Sequence, residues 1–317
     1  MAWAQQNGRI RRIGVLMPLA KDNPEAQARI AAFLEELQRL GWTDRRNLKI
    51  EYRWETGESN FHSKAATELV ALSPDVIFAT ATPAVTALQR VTQTVPIIFV
   101  QVADPVGSGF VANLAKPGGN TTGFTNIDYE ISAKWLQLLK EIAPHVRRVG
   151  VIRGPSLTSG IGQYGAIRSA AQALGVEVSA LGGRNAGDVE QTITEFARTS
   201  NGGLISVANP VVVNNRSLII SLAARHRLPT IYPFRSFVTD GGLVSYGAEP
   251  IDAYRQAADY VDRILKGEKP ADLPVPGATK FKLTIKPLRH WVSRCQLRSS
   301  PAPMRLLNKV RVSAFGP

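Results

Sequence analysis

The sequence has one cysteine, Cys295, and only four histidines among its 317 residues. A single cysteine cannot form a disulfide bond within the chain, and no histidine stands in a motif that would activate its thiol. The histidines also lack the spacing of metal ligands; they are His62, His145, His226 and His290. We read His62 and His226 as surface residues of helices. Neither a disulfide scaffold nor a cysteine hydrolase nor a metal centre is indicated.

Other catalytic motifs are missing too. Residues 17–20, Met-Pro-Leu-Ala, stand after the first predicted strand, where a dinucleotide-binding fold needs its glycines. The sequence has no P-loop, no His-Glu-x-x-His pair and no Gly-x-Ser-x-Gly nucleophile elbow. We therefore predict no catalytic residues, no metal ligands and no cofactor, and we expect that the protein is not an enzyme.

Long hydrophobic runs are lacking. The longest, such as Pro96–Val100 and Leu218–Leu222, fall far short of the roughly 20 residues that a membrane-spanning helix needs. The formal net charge is +13, which raises the question of nucleic-acid binding. Seven of these charges lie from Lys286 onward, where no acidic residue occurs, so the remainder carries 13 − 7 = +6 without interleaved aromatic residues. We expect no nucleic-acid partner.

The first residues hold part of an export signal pattern. Ala2-Trp3-Ala4, followed by two glutamines, matches the small-x-small motif that ends a secretory signal, but no apolar segment precedes it. We expect that the first residue of this sequence lies inside a longer signal and that the protein is exported to the periplasm. A chance match of three short residues is the alternative.

Strands and helices alternate along the chain. Buried apolar runs and alternating patterns predict strands at 13–16, 48–54, 75–80, 96–100, 149–152, 176–181, 204–207, 230–232, 243–246 and 280–285. Amphipathic periodicity predicts helices at 25–40, 60–72, 82–91, 129–142, 161–174, 188–199, 215–226 and 251–265. This alternation indicates an α/β protein with two doubly wound parallel-sheet lobes that divide near Asn126. Ligands of such sheets bind beyond the carboxyl ends of the strands, so two facing lobes would form one cleft.

Small polar residues follow several predicted strands. Thr80–Ala84 joins a strand to a helix N-terminus, whose free backbone N–H groups suit a carboxylate. Thr82 would cap that helix and Pro83 would occupy its first turn. Other polar segments lie at 102–107, 118–123, 153–156 and 208–210. Each segment can also be read as ordinary turn chemistry between a strand and a helix.

Several of these segments resemble a known family. The strings are Thr80–Ala84, Ala-Asp-Pro-Val-Gly at 103–107, Lys-Pro-Gly-Gly-Asn at 116–120, and Leu-Lys-Gly-Glu-Lys-Pro-Ala-Asp at 265–272. They are similar to ABC-transporter substrate-binding proteins of the periplasmic type I fold, related to tryptophan- and tyrosine-binding receptors. The resemblance runs from about Arg12 to Ile285 and implies a hinge with three crossovers. It implies an N-terminal lobe of 9–125 and 248–277, a C-terminal lobe of 126–247 and 278–285, and an atypical basic tail at 286–317.

The same resemblance implies the function and the site. The protein is expected to be the substrate-binding component of an ABC importer that captures an amino acid or an aromatic or carboxylate compound by hinge closure. It would act as a monomer with an ABC permease in the membrane. The implied cleft residues are Thr82, Pro83, Asp104, Asn126, Arg153, Asn209, Tyr246 and Glu249. Thr82 would bind a carboxylate, and Asp104 would pair with an ammonium group or form a structural turn.

Two other function classes stay open at this stage. An enzyme on a two-lobed α/β scaffold would need an acid–base pair across the cleft, and Asp104 with Arg153 is the best pair that the sequence offers. A transcriptional regulator with the same sensor fold would need a helix-turn-helix before Ile13, and we expect none there.

The tail departs from the family pattern, which continues after the last strand with a helix rich in Lys, Ala and Leu. Residues 286–308 can be back-translated and read one base out of phase. Plausible codons then give Thr-Ala-Lys-Ala-Leu-Gly-Leu-Glu-Met-Pro-Thr-Ser-Leu-Leu-Ala-Arg-Ala-Asp-Glu-Val-Ile-Glu and a stop. We hypothesise that residues from about Lys286 onward are out of frame, and sequencing the 3′ end of the coding region tests this.

Overall fold

The chain forms two compact units. The computed structural model describes residues 9–125, 129–154 and 158–286, so Asn126 and the basic tail after Lys286 lie outside the described residues. The first unit holds 9–125 and 250–278, and the second holds the described residues from 129 to 249 together with 279–286. The chain therefore passes three times from one unit to the other.

Strands and helices alternate as expected. The strands are β1 Arg11–Met17, β2 Leu48–Trp54, β3 Val76–Thr80, β4 Ile97–Val100, β5 Thr121–Phe124, β6 Arg148–Arg153, β7 Glu177–Gly182, β8 Gly202–Ser206, β9 Thr230–Tyr232, β10 Val244–Gly247 and β11 Lys282–Ile285. The helices are α1 Pro24–Arg39, α2 Phe61–Ala71, α3 Ala81–Val91, α4 Tyr129–Ile142, α5 Thr158–Ala171, α6 Ala186–Ala197, α7 Pro210–Asn214, α8 Arg216–Arg225, α9 Arg235–Thr239 and α10 Pro250–Leu265. Short 3₁₀ turns lie at Gln172–Leu174 and Pro270–Asp272.

The first unit is built on a five-stranded sheet in the order β2-β1-β3-β4-β5. All of its strand pairs are parallel. Its strands β3 and β4 are buried along their whole length, which explains their continuous apolar sequences. The order reverses between β1 and β3, the place where a doubly wound sheet opens a crevice at its carboxyl edge.

Local sequence signals set the limits of α1. The side chain of Asn23 accepts hydrogen bonds from the backbone N–H groups of Glu25 and Ala26, and Pro24 begins the helix. The helix ends before Gly41, which has a φ of 94°. These signals direct the chain from the carboxyl end of β1 back across the sheet.

The second unit repeats the same plan. Its sheet has the order β11-β10-β9-β8-β6-β7. The five strands β7-β6-β8-β9-β10 are parallel and follow the order of the first sheet, with the reversal between β6 and β8. Strand β11 is antiparallel to β10 at the edge, so this sheet is not entirely parallel. The fold class predicted from the sequence is confirmed in its main features.

Three local predictions were wrong. No strand was predicted around 118–123, which was taken only as a polar segment, but Thr121–Phe124 forms β5 and pairs with β4. The helix after β3 begins at Ala81 with Thr80 in the cap position, so Thr82 is not the N-cap, although Pro83 does lie in the first turn. The short helices α7 and α9 were not foreseen, because each is only five residues long.

From the sequence we expected His62 on the surface of a helix, but on α2 it is less exposed than that. It is half-buried, and its Nε2 atom is enclosed without a hydrogen-bond partner among the described residues. Its ring lies 5.0 Å from that of Phe61 in an edge-on arrangement. Burial lowers the pKa of His62, and the charge of Glu55 opposes this only in part. The folded protein therefore favours a neutral imidazole at this position.

This burial predicts a dependence of stability on pH. The unfolded chain binds the proton near the ordinary pKa of 6.5, whereas the folded protein binds it only at lower pH. The contribution of neutral His62 is therefore complete above that pH and is lost as the pH falls through it toward the folded pKa. Urea unfolding between about pH 7.5 and pH 5.5 should show a smaller loss of unfolding free energy for His62→Leu than for the parent protein. Equal slopes for His62→Leu and the parent protein would contradict the assignment.

Candidate functional site

The carboxyl edge of the first sheet carries two unusual backbone conformations. Strands β3 and β4 end side by side, with Thr80 paired to Val100. The residue that directly follows each strand has a positive φ, which is 69° for Ala81 and 59° for Gln101. Non-glycine residues in this region of φ/ψ space cost about 1–3 kcal/mol each and cluster at ligand sites. Neither conformation could be predicted from the sequence, because neither alanine nor glutamine favours a positive φ.

The N-terminus of α3 lies at this edge. The N-cap residue, Thr80, makes no side-chain capping hydrogen bond, and its hydroxyl lies 2.9 Å from that of Tyr254 instead. Pro83 has no N–H group, so the first-turn N–H donors outside the helical ladder belong to Ala81 and Thr82. Thr82 is 8% exposed. An uncapped helix N-terminus with a hydroxyl beside it can bind a carboxylate.

Asp104 has a structural role in the loop after β4. Its Oδ1 atom accepts a hydrogen bond of 2.7 Å from the backbone N–H of Gly107, and its carbonyl accepts one of 3.0 Å from Ser108. A Cβ atom on Gly107 would lie 2.1 Å from the Asp104 carboxylate, so the turn needs glycine there. Of the two roles that the sequence left open, the structure displays the structural turn.

In the second unit, Arg153 is the last residue of β6, and Asn209 follows the carboxyl end of β8. The guanidinium carbon of Arg153 lies 5.3 Å from the centroid of the Tyr164 ring, which holds the cation against α5. The Oδ1 atom of Asn209 accepts a hydrogen bond of 3.0 Å from the backbone N–H of Val212 and thereby caps α7. Both side chains thus have local contacts within their own unit.

Tyr246 and Glu249 lie at and just after the end of β10. The ring of Tyr246 lies 6.0 Å from that of Phe281, and burial raises the pKa of the Tyr246 hydroxyl. Glu249 is paired with Lys282, with 3.7 Å between Oε1 and Nζ. The second unit therefore brings Arg153, Asn209, Tyr246 and Glu249 to the carboxyl-edge region of one sheet.

The second unit also contains buried polar atoms that sequence reasoning missed. Gln163, Ser132 and Ser206 are fully buried, and their side-chain polar atoms have no hydrogen-bond partner among the described residues. Ser206 is the last residue of β8, while Gln163 and Ser132 lie in the early turns of α5 and α4. Buried polar atoms of this kind ordinarily contact ordered water or a ligand.

Metal and membrane sites receive no support from the part of the chain that the structure describes. There, no three His, Cys, Asp or Glu side chains are grouped so that they could hold a metal ion. Nor is any helix within those residues both long and apolar enough to cross a membrane.

Comparison with known proteins assigns this architecture to a family. The model of the family described as "ABC transporter substrate binding protein" matches residues 12–289. The chain belongs to this family. The match spans both units and includes the loops after β3 and β4.

Individual relatives agree with the assignment. A curated tyrosine-binding protein of Clostridioides difficile (strain R20291) is 26% identical over 264 residues, which cover 83% of this chain and 76% of that protein. The crystal structure of a conserved domain protein from Vibrio cholerae superposes with a TM-score of 0.81 at 27% identity, covering 87% of this chain and 92% of the other. An ABC domain from Streptococcus pneumoniae in complex with L-Trp gives a TM-score of 0.79 at 24% identity, covering 87% and 91%.

The family assignment confirms the function predicted from the sequence. This substrate-binding protein is the solute-capturing component of an ABC transport system, and proteins of its kind work with ABC permeases. Family members are receptors rather than enzymes, and they act outside the cytoplasm, in the periplasm or as lipoproteins.

Proposed function

We propose that the solute is an amino acid, or a related small aromatic or carboxylate compound, whose carboxylate binds at the N-terminus of α3. The uncapped first turn, with the Thr82 hydroxyl beside it, is the observation that carries this proposal. Negative groups are stabilised at helix N-termini by the unpaired N–H groups and by the helix dipole. The tyrosine-binding relative supports an amino-acid ligand.

The remaining site residues are proposed to complete the solute's surroundings. Asp104, whose Oδ1 accepts the hydrogen bond of its turn, is proposed to lie beside an ammonium group of the solute. Asn126, Arg153, Asn209, Tyr246 and Glu249 are proposed as further cleft residues, with Pro83 shaping the carboxylate subsite. The neutral buried groups Gln163 and Ser206 suit hydrogen bonds to an uncharged part of the solute.

The proposed mechanism is closure of two lobes around the solute, without chemistry on it. A solute that touches both lobes stabilises only the closed state, so its binding raises the population of that state. A membrane permease would then recognise the closed form. The protein is proposed to act as an exported monomer in the periplasm and to have no nucleic-acid partner.

A thermal-shift panel tests the carboxylate subsite. L-Tyrosine, L-tryptophan, the other common L-amino acids and aromatic carboxylates are each compared with the matching carboxamide. A solute present at a hundred times its Kd should add about 2.7 kcal/mol to the unfolding free energy. The carboxamides should give little shift, because they lack the anionic group. A carboxamide that stabilises the protein as strongly as its parent acid would contradict the proposal.

A further inference from the structure

A buried polar cluster in the first unit connects α1 and α10 to the carboxyl edge of the first sheet, where the solute is proposed to bind. Arg29 on α1 is 2% exposed, forms an ion pair with Glu25 one turn earlier, and donates a hydrogen bond of 2.9 Å from Nη1 to Oε1 of Gln101. Its guanidinium carbon lies 6.0 Å from the centroid of the Tyr254 ring. The hydroxyl of Tyr254 in turn lies 2.9 Å from that of Thr80. We call Glu25, Arg29, Gln101, Tyr254 and Thr80 the Arg29 cluster.

The Arg29 cluster includes or adjoins both residues that have a positive φ at this edge. Gln101 itself has a φ of 59°, and Thr80 directly precedes Ala81, with a φ of 69°. Such conformations persist only where the surrounding structure over-determines them. A hydrogen bond from a buried guanidinium is roughly twice as strong as a neutral one and has a fixed direction, so it can hold the Gln101 side chain in place.

Packing alone does not explain why the charged guanidinium of Arg29 is buried. A buried ion pair is often no more stabilising than apolar residues of the same volume. A contribution to stability therefore does not account well for Arg29. Its planar guanidinium group contacts Glu25, Gln101 and Tyr254, which come from three separate parts of the chain. Tyr254 belongs to α10, which begins at Pro250, the first residue of the first unit after the second crossover.

We propose that Arg29 is a positioning residue of the solute site. It holds Gln101, and with it the turn that contains Asp104, and through Tyr254 it steadies Thr80 at the start of α3. The proposal rests on the proposed location of the solute at this edge. Arg29 itself does not contact the solute; it acts through Gln101 and Tyr254.

Hydrogen exchange on the full-length protein tests the positioning role without any ligand. The double variant Glu25→Gln/Arg29→Met removes both charges of the ion pair together, so neither remains without the other. Exchange should rise by about tenfold at residues 80–86 and 101–108, while the rest of the first unit stays near its parent rate. The control is Glu36→Gln/Arg39→Met, an exposed ion pair on the same helix, which should change neither segment.

Gln101→Gly separates positioning from stability. Glycine accepts a positive φ without strain, which offsets the cost of leaving the buried Arg29 guanidinium without the Gln101 acceptor, so the melting temperature should change little. Exchange at 101–108 should nevertheless increase, and the Kd for L-tyrosine, the probe used, should rise about tenfold. Uniform exchange across the first unit in the double variant, or unchanged exchange at 101–108 in Gln101→Gly, would overturn the proposal. If the parent protein does not bind L-tyrosine, the amino-acid assignment fails, but the exchange results still decide the role of Arg29.

Discussion

Replacing Trp135 with alanine should lower the unfolding free energy of the second unit by about 3–5 kcal/mol. Trp135 on α4 is 2% exposed and packs in the core cluster that contains residues of β6, β8, β9 and β10. Its indole Nε1 donates a hydrogen bond of 2.6 Å to the carbonyl of Tyr246. The substitution removes the largest fully buried side chain among the residues that the structure describes, and it leaves that carbonyl without this donor.

Two comparison variants make the Trp135 experiment specific. Trp135→Phe retains most of the ring but loses the N–H group, so it should cost about 1–3 kcal/mol, less than the alanine variant. Trp42→Ala removes an indole that also donates a hydrogen bond, here of 2.9 Å to Asp262, but from a half-buried position. Urea unfolding followed by circular dichroism measures all three. Equal losses for Trp42→Ala and Trp135→Ala would contradict the anchoring role.

Thr82→Asp should weaken solute binding by at least about a hundredfold, or about 2.8 kcal/mol. The new carboxylate would occupy the helix N-terminus that is proposed to bind the carboxylate of the solute. An acidic residue in the first turn interacts favourably with the helix dipole, which offsets the cost of its burial. Binding is therefore expected to fall much more than folding stability.

Smaller changes at the same position serve as controls for the charge. Thr82→Ser keeps the hydroxyl and should change the Kd by no more than about threefold, whereas Thr82→Val removes only the hydroxyl and should lie between the two. Calorimetric titration gives the Kd, and circular dichroism verifies the fold of each variant. Parent-like affinity in Thr82→Asp would place the solute away from α3.

The sheets could be predicted where strands are apolar throughout. Pro96–Val100 and Asp75–Thr80 were readable because a parallel strand that is buried on both faces needs a continuous hydrophobic run. Strand β5 was not readable, since Thr121–Phe124 is half polar. Its burial depends on pairing with β4 and on a hydrogen bond of 2.6 Å from the Thr122 hydroxyl to the carbonyl of Leu273. Both contacts join residues that are far apart in the sequence, so no local sequence pattern predicts them.

The candidate site was only partly readable for the same reason. The Thr-Pro pair after β3 indicated a helix N-terminus, although the cap itself lies two residues earlier, at Thr80. Arg29 gave no signal, because Glu25 and Arg29 are spaced like an ordinary exposed pair on a helix. Only packing against α10, from the far end of the sequence, buries the guanidinium.

Calorimetric titration of the protein with the best-stabilising solute of the panel decides whether it is a receptor for that solute. We expect one solute per chain, loss of binding in Thr82→Asp, and recovery of the solute chemically unchanged after prolonged incubation. A solute that is converted to another compound would contradict the assignment as a receptor. The failure of every amino acid and aromatic carboxylate to bind at millimolar concentration would contradict the proposed class of solute.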